Sequence, residues 1–281
     1  NLTVDNNSIL TISDNTYIEI QNDITVNAGS SITVQPYGAI VQINDLGNVT
    51  NNGTMSVTKK TAPLDVAFEY TYWSSPVLGE TIGGGLFESN TNKRYSFNAI
   101  NFLDATMETG NNNATVAGQD DVDDNGDDWQ WESGANVMQP GIGYASTHDP
   151  NIFIFPGVGY DYTFEGLFNN GVITVAMYRN DSELNDYNWN FIGNPYPSAI
   201  DADLFLAVNS NLNTNLVTPK SIDGAIVLWS QSTPPSGNAN GNQVNNFSSD
   251  DYAIINAVGQ NAGGDGLIPT RNIPSGQGFF V

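Results

Sequence analysis

The sequence predicts an all-β chain: a short N-terminal right-handed β-helix, then a jelly-roll-like β-sandwich with one short helix. Three observations predict it. Short alternating apolar runs recur through residues 1–60 and end in Asn and Gly turns. From Phe68 onward, runs rich in β-branched and aromatic residues recur, bounded by Gly, Asn, Asp and Pro. One stretch, 198–212, has apolar residues at helical spacing.

In residues 1–60, "ITVNAGSS", "ITVQPYGA" and "IVQINDLG" begin at Ile24, Ile32 and Ile40, a spacing of eight. Related units begin at Leu10, Ile18, Val49 and Met55. A short strand cannot bury its apolar face alone, but stacked neighbours can, which is the logic of a solenoid. A meander of hairpins is the alternative. It is disfavoured because these turns lack tight two-residue hairpin chemistry. Asn in the turns tolerates left-handed backbone angles.

The second domain is predicted over 61–281. Its entry is "KKTAPLDVAFEYTYWSSPV", 59–77, with two of the seven basic residues, a Pro and then aromatics. Strands are expected at "AFEYTYW", "KRYSFNAINF", "IGYAST", "NIFIF" and "YDYTFEG". More are expected at "GVITVAMY", "WNFIGNPY", "GAIVLWS", "DYAIINA" and "GQGFFV". Their number and spacing suit a β-sandwich. Alternation in "YDYTFEG" puts Tyr160, Tyr162 and Phe164 on one face and Asp161, Thr163 and Glu165 on the other. The helix is expected to be capped by Ser198, with Ile200, Leu204, Phe205 and Val208 on its apolar face. Residues 104–134 and 231–251 read as long polar loops.

Thirty acidic residues against 7 basic ones leave a formal charge of -23. Such a field repels nucleic acid and anionic membranes and attracts cations. There are no cysteines, so disulfide and thiol chemistry are excluded. No run of eighteen apolar residues is present to span a bilayer as a helix. The first residues already read as folded repeat, so the chain is expected to be a mature segment of a secreted protein.

Residues 120–132 read "DDVDDNGDDWQWE", seven of thirteen acidic. Asp121, Asp123, Asn125, Gly126 and Glu132 match the calcium-loop pattern D-x-[DN]-x-[DN]-G-x5-E. Hard oxygen ligands at the first, third and fifth positions converge on one cation, and Gly permits the sharp turn. The backbone carbonyl of Asp127 and the carboxylate of Glu132 would complete the shell. The flanking residues are not helical, so this is not an EF-hand; the expected role of Ca2+ is to staple a loop. The alternative is a solvated acidic turn.

Trp129 and Trp131 share a face if extended, and their polar loop makes them candidates to stack on sugar rings. Trp189 and Trp229 lie in strong strand runs and read as core. His148 is the single histidine, and with no cysteine it cannot build a usual zinc site. It reads as a turn histidine before Asp149-Pro150. Glu69 and Glu165 are acids flanked by aromatics, but the alternation turns Glu165 outward, which weakens a glycosidase reading.

"NWNFIGNPYPSAIDADLF" at 188–205, with "YTYWSSPV" at 70–77 and "IPSGQGFFV" at 273–281, resembles large secreted surface proteins of Bacteroidota, especially marine flavobacteria. Those proteins look like cargo of the type IX secretion system. The resemblance covers about 60–281 and implies a lineage and an export route, with no catalytic residues to carry over. No sorting domain is visible, and Val281 falls mid-strand on this reading. The expectation is therefore a non-catalytic, calcium-stabilised, secreted surface module. Its expected role is adhesion or filament assembly with like modules. A carbohydrate-binding module for extracellular polysaccharide is the alternative, and a glycoside hydrolase or lyase the third reading.

Overall fold

The computed structural model describes residues 1–102, 128–179, 189–210, 222–239 and 246–281. The chain is mostly β.

The N-terminal strands are β1 (Leu2–Val4), β2 (Ile9–Ile12), β3 (Tyr17–Ile20), β4 (Ile24–Val26), β5 (Ser31–Val34), β6 (Ala39–Gln42), β7 (Val49–Asn51) and β8 (Thr54–Lys60). They pair in parallel as β1-β4-β7, β2-β5-β8 and β3-β6. Leu2 lies opposite Ile24, Ile9 opposite Ser31 and Tyr17 opposite Ala39, a uniform offset of 22 residues. The spacing of eight seen in the sequence is thus the step from one ladder to the next, and three steps make a tier. Stacking decides burial. Ile24 and Ile32, on strands with a neighbour on each side, are fully buried, as is Ile40, whose strand is covered by the Pro197 turn, while Leu2, Leu10 and Ile18 on the outer strands are only half-buried. Each complete burial of this kind contributes about 1.5–3 kcal/mol.

Turn chemistry holds the tiers in register. Asn6, Asn7 and Asn15 take positive φ, as Asn-rich turns allow. Gly53 is required by close approach, since a Cβ there would sit 2.2 Å from the Ser30 carbonyl. Carboxylates in one tier accept backbone N–H groups from the next: Tyr37 N donates to Asp14 (2.8 Å) and Asn48 N to Asp23 (2.9 Å). Lys59, almost buried, donates to the Pro36 carbonyl at 3.0 Å and so satisfies a turn that has no further tier beside it.

The rest of the chain supplies β9 (Tyr70–Trp73), β10 (Val77–Leu78), α1 (Ile82–Gly85), β11 (Ser89–Phe97), β12 (Trp129–Trp131), β13 (Tyr144–His148), β14 (Asp161–Glu165) and β15 (Leu167–Phe168). It continues with β16 (Phe191–Gly193), β17 (Ile200–Asp201), α2 (Ala202–Asn209), β18 (Ala225–Trp229), β19 (Tyr252–Asn256), β20 (Gly259–Asn261), β21 (Asn272–Ile273) and β22 (Gly278–Phe280). Two larger sheets result, β12-β11-β13-β9 and β16-β22-β18-β19-β20. Aromatic rings fill the space between them. Tyr72 meets Phe191 at 4.7 Å and Phe280 at 5.8 Å between ring centres, and Phe191 stacks on Phe280 at 4.6 Å. The two parts of the chain share one buried cluster, beside two that belong to the later part alone. Strand β14 pairs with β8, and Tyr162 and Phe164 join the same buried cluster as Val34 and Val57.

Several expectations are corrected. "NIFIF" is an exposed loop, with Ile152, Ile154 and Phe155 at the surface. "GVITVAMY" keeps its alternation but pairs with no strand among the described residues. The Asn190 side chain imitates a ladder partner for it, accepting from Tyr178 N (2.8 Å) and donating to Tyr178 O (2.9 Å). The helix begins at Ala202 and is capped by Asp201, which accepts from Asp203 N and Leu204 N. Ser198 does not cap it, because Ile200 and Asp201 are taken up by pairing with β21. Its apolar face is also different: Ala202 and Leu206 are buried, while Leu204 and Val208 are exposed.

Candidate functional site

Strand β12 carries the predicted residues that fall within the described structure. Asp121, Asp123, Asn125 and Asp127 lie outside the described residues. Antiparallel pairing sets Trp131 opposite Tyr95 and Trp129 opposite Phe97. Tyr95 lies opposite Ala145, and Ala145 opposite Tyr72, so one row crosses all four strands. The two tryptophans share a face, as their spacing predicts, but meet different surroundings.

Trp129 is half-buried and packs against Tyr72, Phe97, Phe191 and Phe280, with ring centres 5.2–6.1 Å apart. Trp131 lies on the sheet edge and is 56% exposed. Its indole N–H donates to the Thr91 carbonyl at 3.1 Å, which spends its polar group and leaves its apolar body outward. A chain of rings runs inward from its partner Tyr95. Tyr95 meets Tyr70 (6.3 Å), Tyr70 meets Phe247 (5.6 Å), and Phe247 meets Trp229 (5.6 Å). Trp229 packs against the aromatic core, and its buried Nε1 has no acceptor among the described residues. Such a rim can lie flat against a planar apolar face, including the C–H face of a sugar.

Glu132 closes β12. Its N–H donates to the Arg94 carbonyl at 2.8 Å. One carboxylate oxygen accepts from Ser96 Oγ and the other from Asn136 Nδ2, both at 2.7 Å. The carboxylate is therefore oriented, and a cation would share each oxygen with one donor. Among the described residues no group of three or more His, Cys, Asp or Glu side chains is arranged to hold a metal ion.

Sequence reasoning missed the interior around His148. This histidine is no turn residue: it ends β13 and is buried. Its Nδ1 lies 2.8 Å from the Tyr162 hydroxyl, its ring packs on Tyr160 at 3.8 Å, and its buried Nε2 has no partner among the described residues. Burial lowers its pKa, with Asp149 opposing. Arg94, also buried, donates from Nε to Ser89 Oγ at 2.7 Å and from Nη2 to Leu86 O at 2.8 Å. His148 ties β13 to β14, and Arg94 ties β11 to the turn that precedes it. Alternation could have warned of this, since His148 falls two residues after Ser146 and four after Tyr144 on one strand.

The Asn194 motif has a structural account. Asn194 is fully buried. Its Nδ2 donates to the carbonyls of Ser198 (2.8 Å), Ile273 (3.1 Å) and Pro274 (3.0 Å), and its Oδ1 accepts from Tyr196 N at 3.0 Å. It ties the Pro turn to the strand that precedes β22.

These features define an all-β protein with parallel ladders, aromatic-packed sheets and an exposed aromatic rim. The chain belongs to the family described as "Domain of unknown function (DUF8693)", which matches residues 1–281. Comparison with curated proteins and with solved structures found no match. Among the described residues no helix is long and apolar enough to cross a membrane.

Proposed function

We propose that this chain is a non-catalytic module of a secreted cell-surface protein, acting in adhesion or in assembly of surface filaments. In this reading the three parallel ladders are the faces of a right-handed β-helix and the two aromatic-packed sheets form a sandwich. The observation that carries the proposal is the free edge of β1, β2 and β3. Each has one strand partner among the described residues, so each ladder presents unpaired backbone on its outer side. Unpaired edges add like strands unless charge or bulges prevent it. Exposed Ile9 and Tyr17 stand on two of these edges. Calcium bound by Asp121, Asp123, Asn125, Asp127 and Glu132 would order the acidic segment and relieve part of the charge of -23. The resemblance to type IX cargo of Bacteroidota supports the same setting.

The test is sedimentation and electron microscopy of the purified chain in calcium and in EDTA, beside the pair Ile9→Lys and Tyr17→Lys. Concentration-dependent assembly in calcium, lost in the double variant, is the expected result. Monomers at every concentration in both buffers would refute it. In the same buffers, Asp121→Ala with Asp123→Ala is expected to speed proteolysis within 110–135 in calcium and leave the β core intact.

A second reading, a carbohydrate-binding module of a polysaccharide-degrading enzyme, is favoured by exposed Trp131 beside Tyr95. A polysaccharide array, with and without calcium, separates the two. Calcium-dependent capture by one glycan class, lost in Trp131→Ala, would favour this reading.

A further inference from the structure

A cavity of about 580 Å³ lies where the N-terminal ladders meet the Pro turn and α2. It falls within the range of about 300–1,000 Å³ typical of small-ligand sites. It is remote in sequence from β12, and neither Trp131 nor Glu132 lines it.

The cavity is built, because paired side chains fix its walls. Asn170 Nδ2 donates to the carbonyls of Asn44 and Gly47, both at 2.9 Å. Asn169 Nδ2 donates to those of Ser75 (3.1 Å) and Pro195 (2.8 Å). Gln42 Nε2 donates to Asn22 O at 2.6 Å, and the Tyr196 hydroxyl to Gly171 O at 2.6 Å. Gly171, at φ 75°, lets the two rim loops touch: a Cβ there would lie 2.6 Å from the Asp45 carbonyl. The Ile40 N–H donates to the Pro197 carbonyl at 3.1 Å and seals the floor.

The donor and acceptor inventory then selects the ligand. The amide nitrogens of Asn169 and Asn170 each make two bonds to backbone carbonyls and that of Gln42 makes one, so the first two offer only oxygen and Gln42 offers oxygen and one N–H. Asp45 adds an exposed carboxylate with no ion-pair partner among the described residues, and Ser198 adds a hydroxyl. The rest of the lining is largely apolar. Leu204 and Val208, one helical turn apart on α2, stand 68% and 62% exposed along it, with Phe168 deeper.

Dispersed acceptors beside an apolar lining suit a molecule with many hydroxyl donors on one side and a C–H face on the other. A single ammonium would concentrate its donors on one atom and leave most of these oxygens unmet. An anion would meet a carboxylate and a strongly negative field. We infer that this cavity is a carbohydrate-binding site for neutral or amino sugars, in which Asp45 and the amide oxygens accept sugar hydroxyls and Leu204 and Val208 hold the ring's C–H face. The inference is independent of assembly and of the Trp131 rim.

The test is titration of the whole chain with neutral, amino and uronic oligosaccharides, followed by calorimetry and by NMR. Asp45→Ala and Leu204→Trp both alter exposed side chains, the second by filling the cavity; circular dichroism confirms that each variant folds. A neutral or amino oligosaccharide is expected to bind the parent chain. Asp45→Ala should weaken it about tenfold or more, Leu204→Trp should abolish it, and Trp131→Ala should leave it unchanged. The inference is overturned if no oligosaccharide binds, if uronic sugars bind best, or if binding is indifferent to Asp45 and Leu204. Loss of binding in Trp131→Ala alone would move the sugar to the rim and equally overturn the cavity.

Discussion

The N-terminal ladders and the two aromatic-packed sheets solve the same burial problem by different means. The ladders use aliphatic side chains repeated at offsets of 22 to 25 residues, so Ile24 is flanked by Leu2 and Val49, 22 and 25 positions away. The sheets use large rings from distant segments, so Tyr72 is buried by Phe191 and Phe280. A repeat distributes its burial over many equivalent contacts. An aromatic layer concentrates it on a few side chains, each with a large payload. The difference teaches where each region is vulnerable.

The largest expected effect comes from deleting a ring. Phe280→Ala is expected to cost about 3–5 kcal/mol. Because the core around Phe164 and Val57 runs through both regions, denaturant unfolding should remain a single transition. Two separated transitions would break the comparison, by showing the ladders to be an independent unit.

The next effect is a pH dependence. Burial lowers the Lys59 ammonium to about 8, with Asp14 opposing. The unfolded chain then holds more protons than the folded one between about pH 8 and 10.5, so stability rises with pH across that window. The gain is on the order of 3 kcal/mol at most. Burial pushes Tyr252 up to about 12 and raises Tyr72 as well. There the folded chain keeps protons that the unfolded chain loses, so stability falls above about pH 10. Urea melts of Lys59→Met should lose the rise and keep the fall. A rise of parental size in that variant would show that Lys59 is not its source.

Asn194→Ala removes four hydrogen bonds from a buried site. Thermal or chemical melts should show a loss of about 2–3 kcal/mol. A change under half of that would mean water replaces the amide. The smallest effect is expected in the ladders. Ile32→Val should cost about 1 kcal/mol, as neighbouring tiers share the loss. A cost rivalling that of Phe280→Ala would remove the contrast between the two regions.

The ladders were legible because their order is local. Ile24, Ile32 and Ile40 announce the repeat at a fixed spacing, and the Asn turns announce the corners. The alternation of Tyr160, Tyr162 and Phe164 was legible for the same reason. "NIFIF" and "GVITVAMY" were not: they have strand composition, but among the described residues no strand pairs with them. Leu204 and Val208 misled because helical spacing marks an apolar face without saying what that face meets. The site residues divide likewise. The shared face of Trp129 and Trp131 follows from a period of two. That one is packed and the other exposed depends on where β16 and β22 lie.

By itself, then, the sequence determined the β character, the strongly negative field, the absence of thiol chemistry and the spacing of the N-terminal strands. Each follows from composition or from patterns shorter than one tier. Only the tertiary structure decided that β14 closes onto β8, that His148 is buried against Tyr162, and that Asp45, Asn170, Tyr196 and Leu204 surround one cavity. Those residues are separated by up to 159 positions, from Asp45 to Leu204. Non-local contacts are set by how whole surfaces complement one another, and no local pattern encodes that choice.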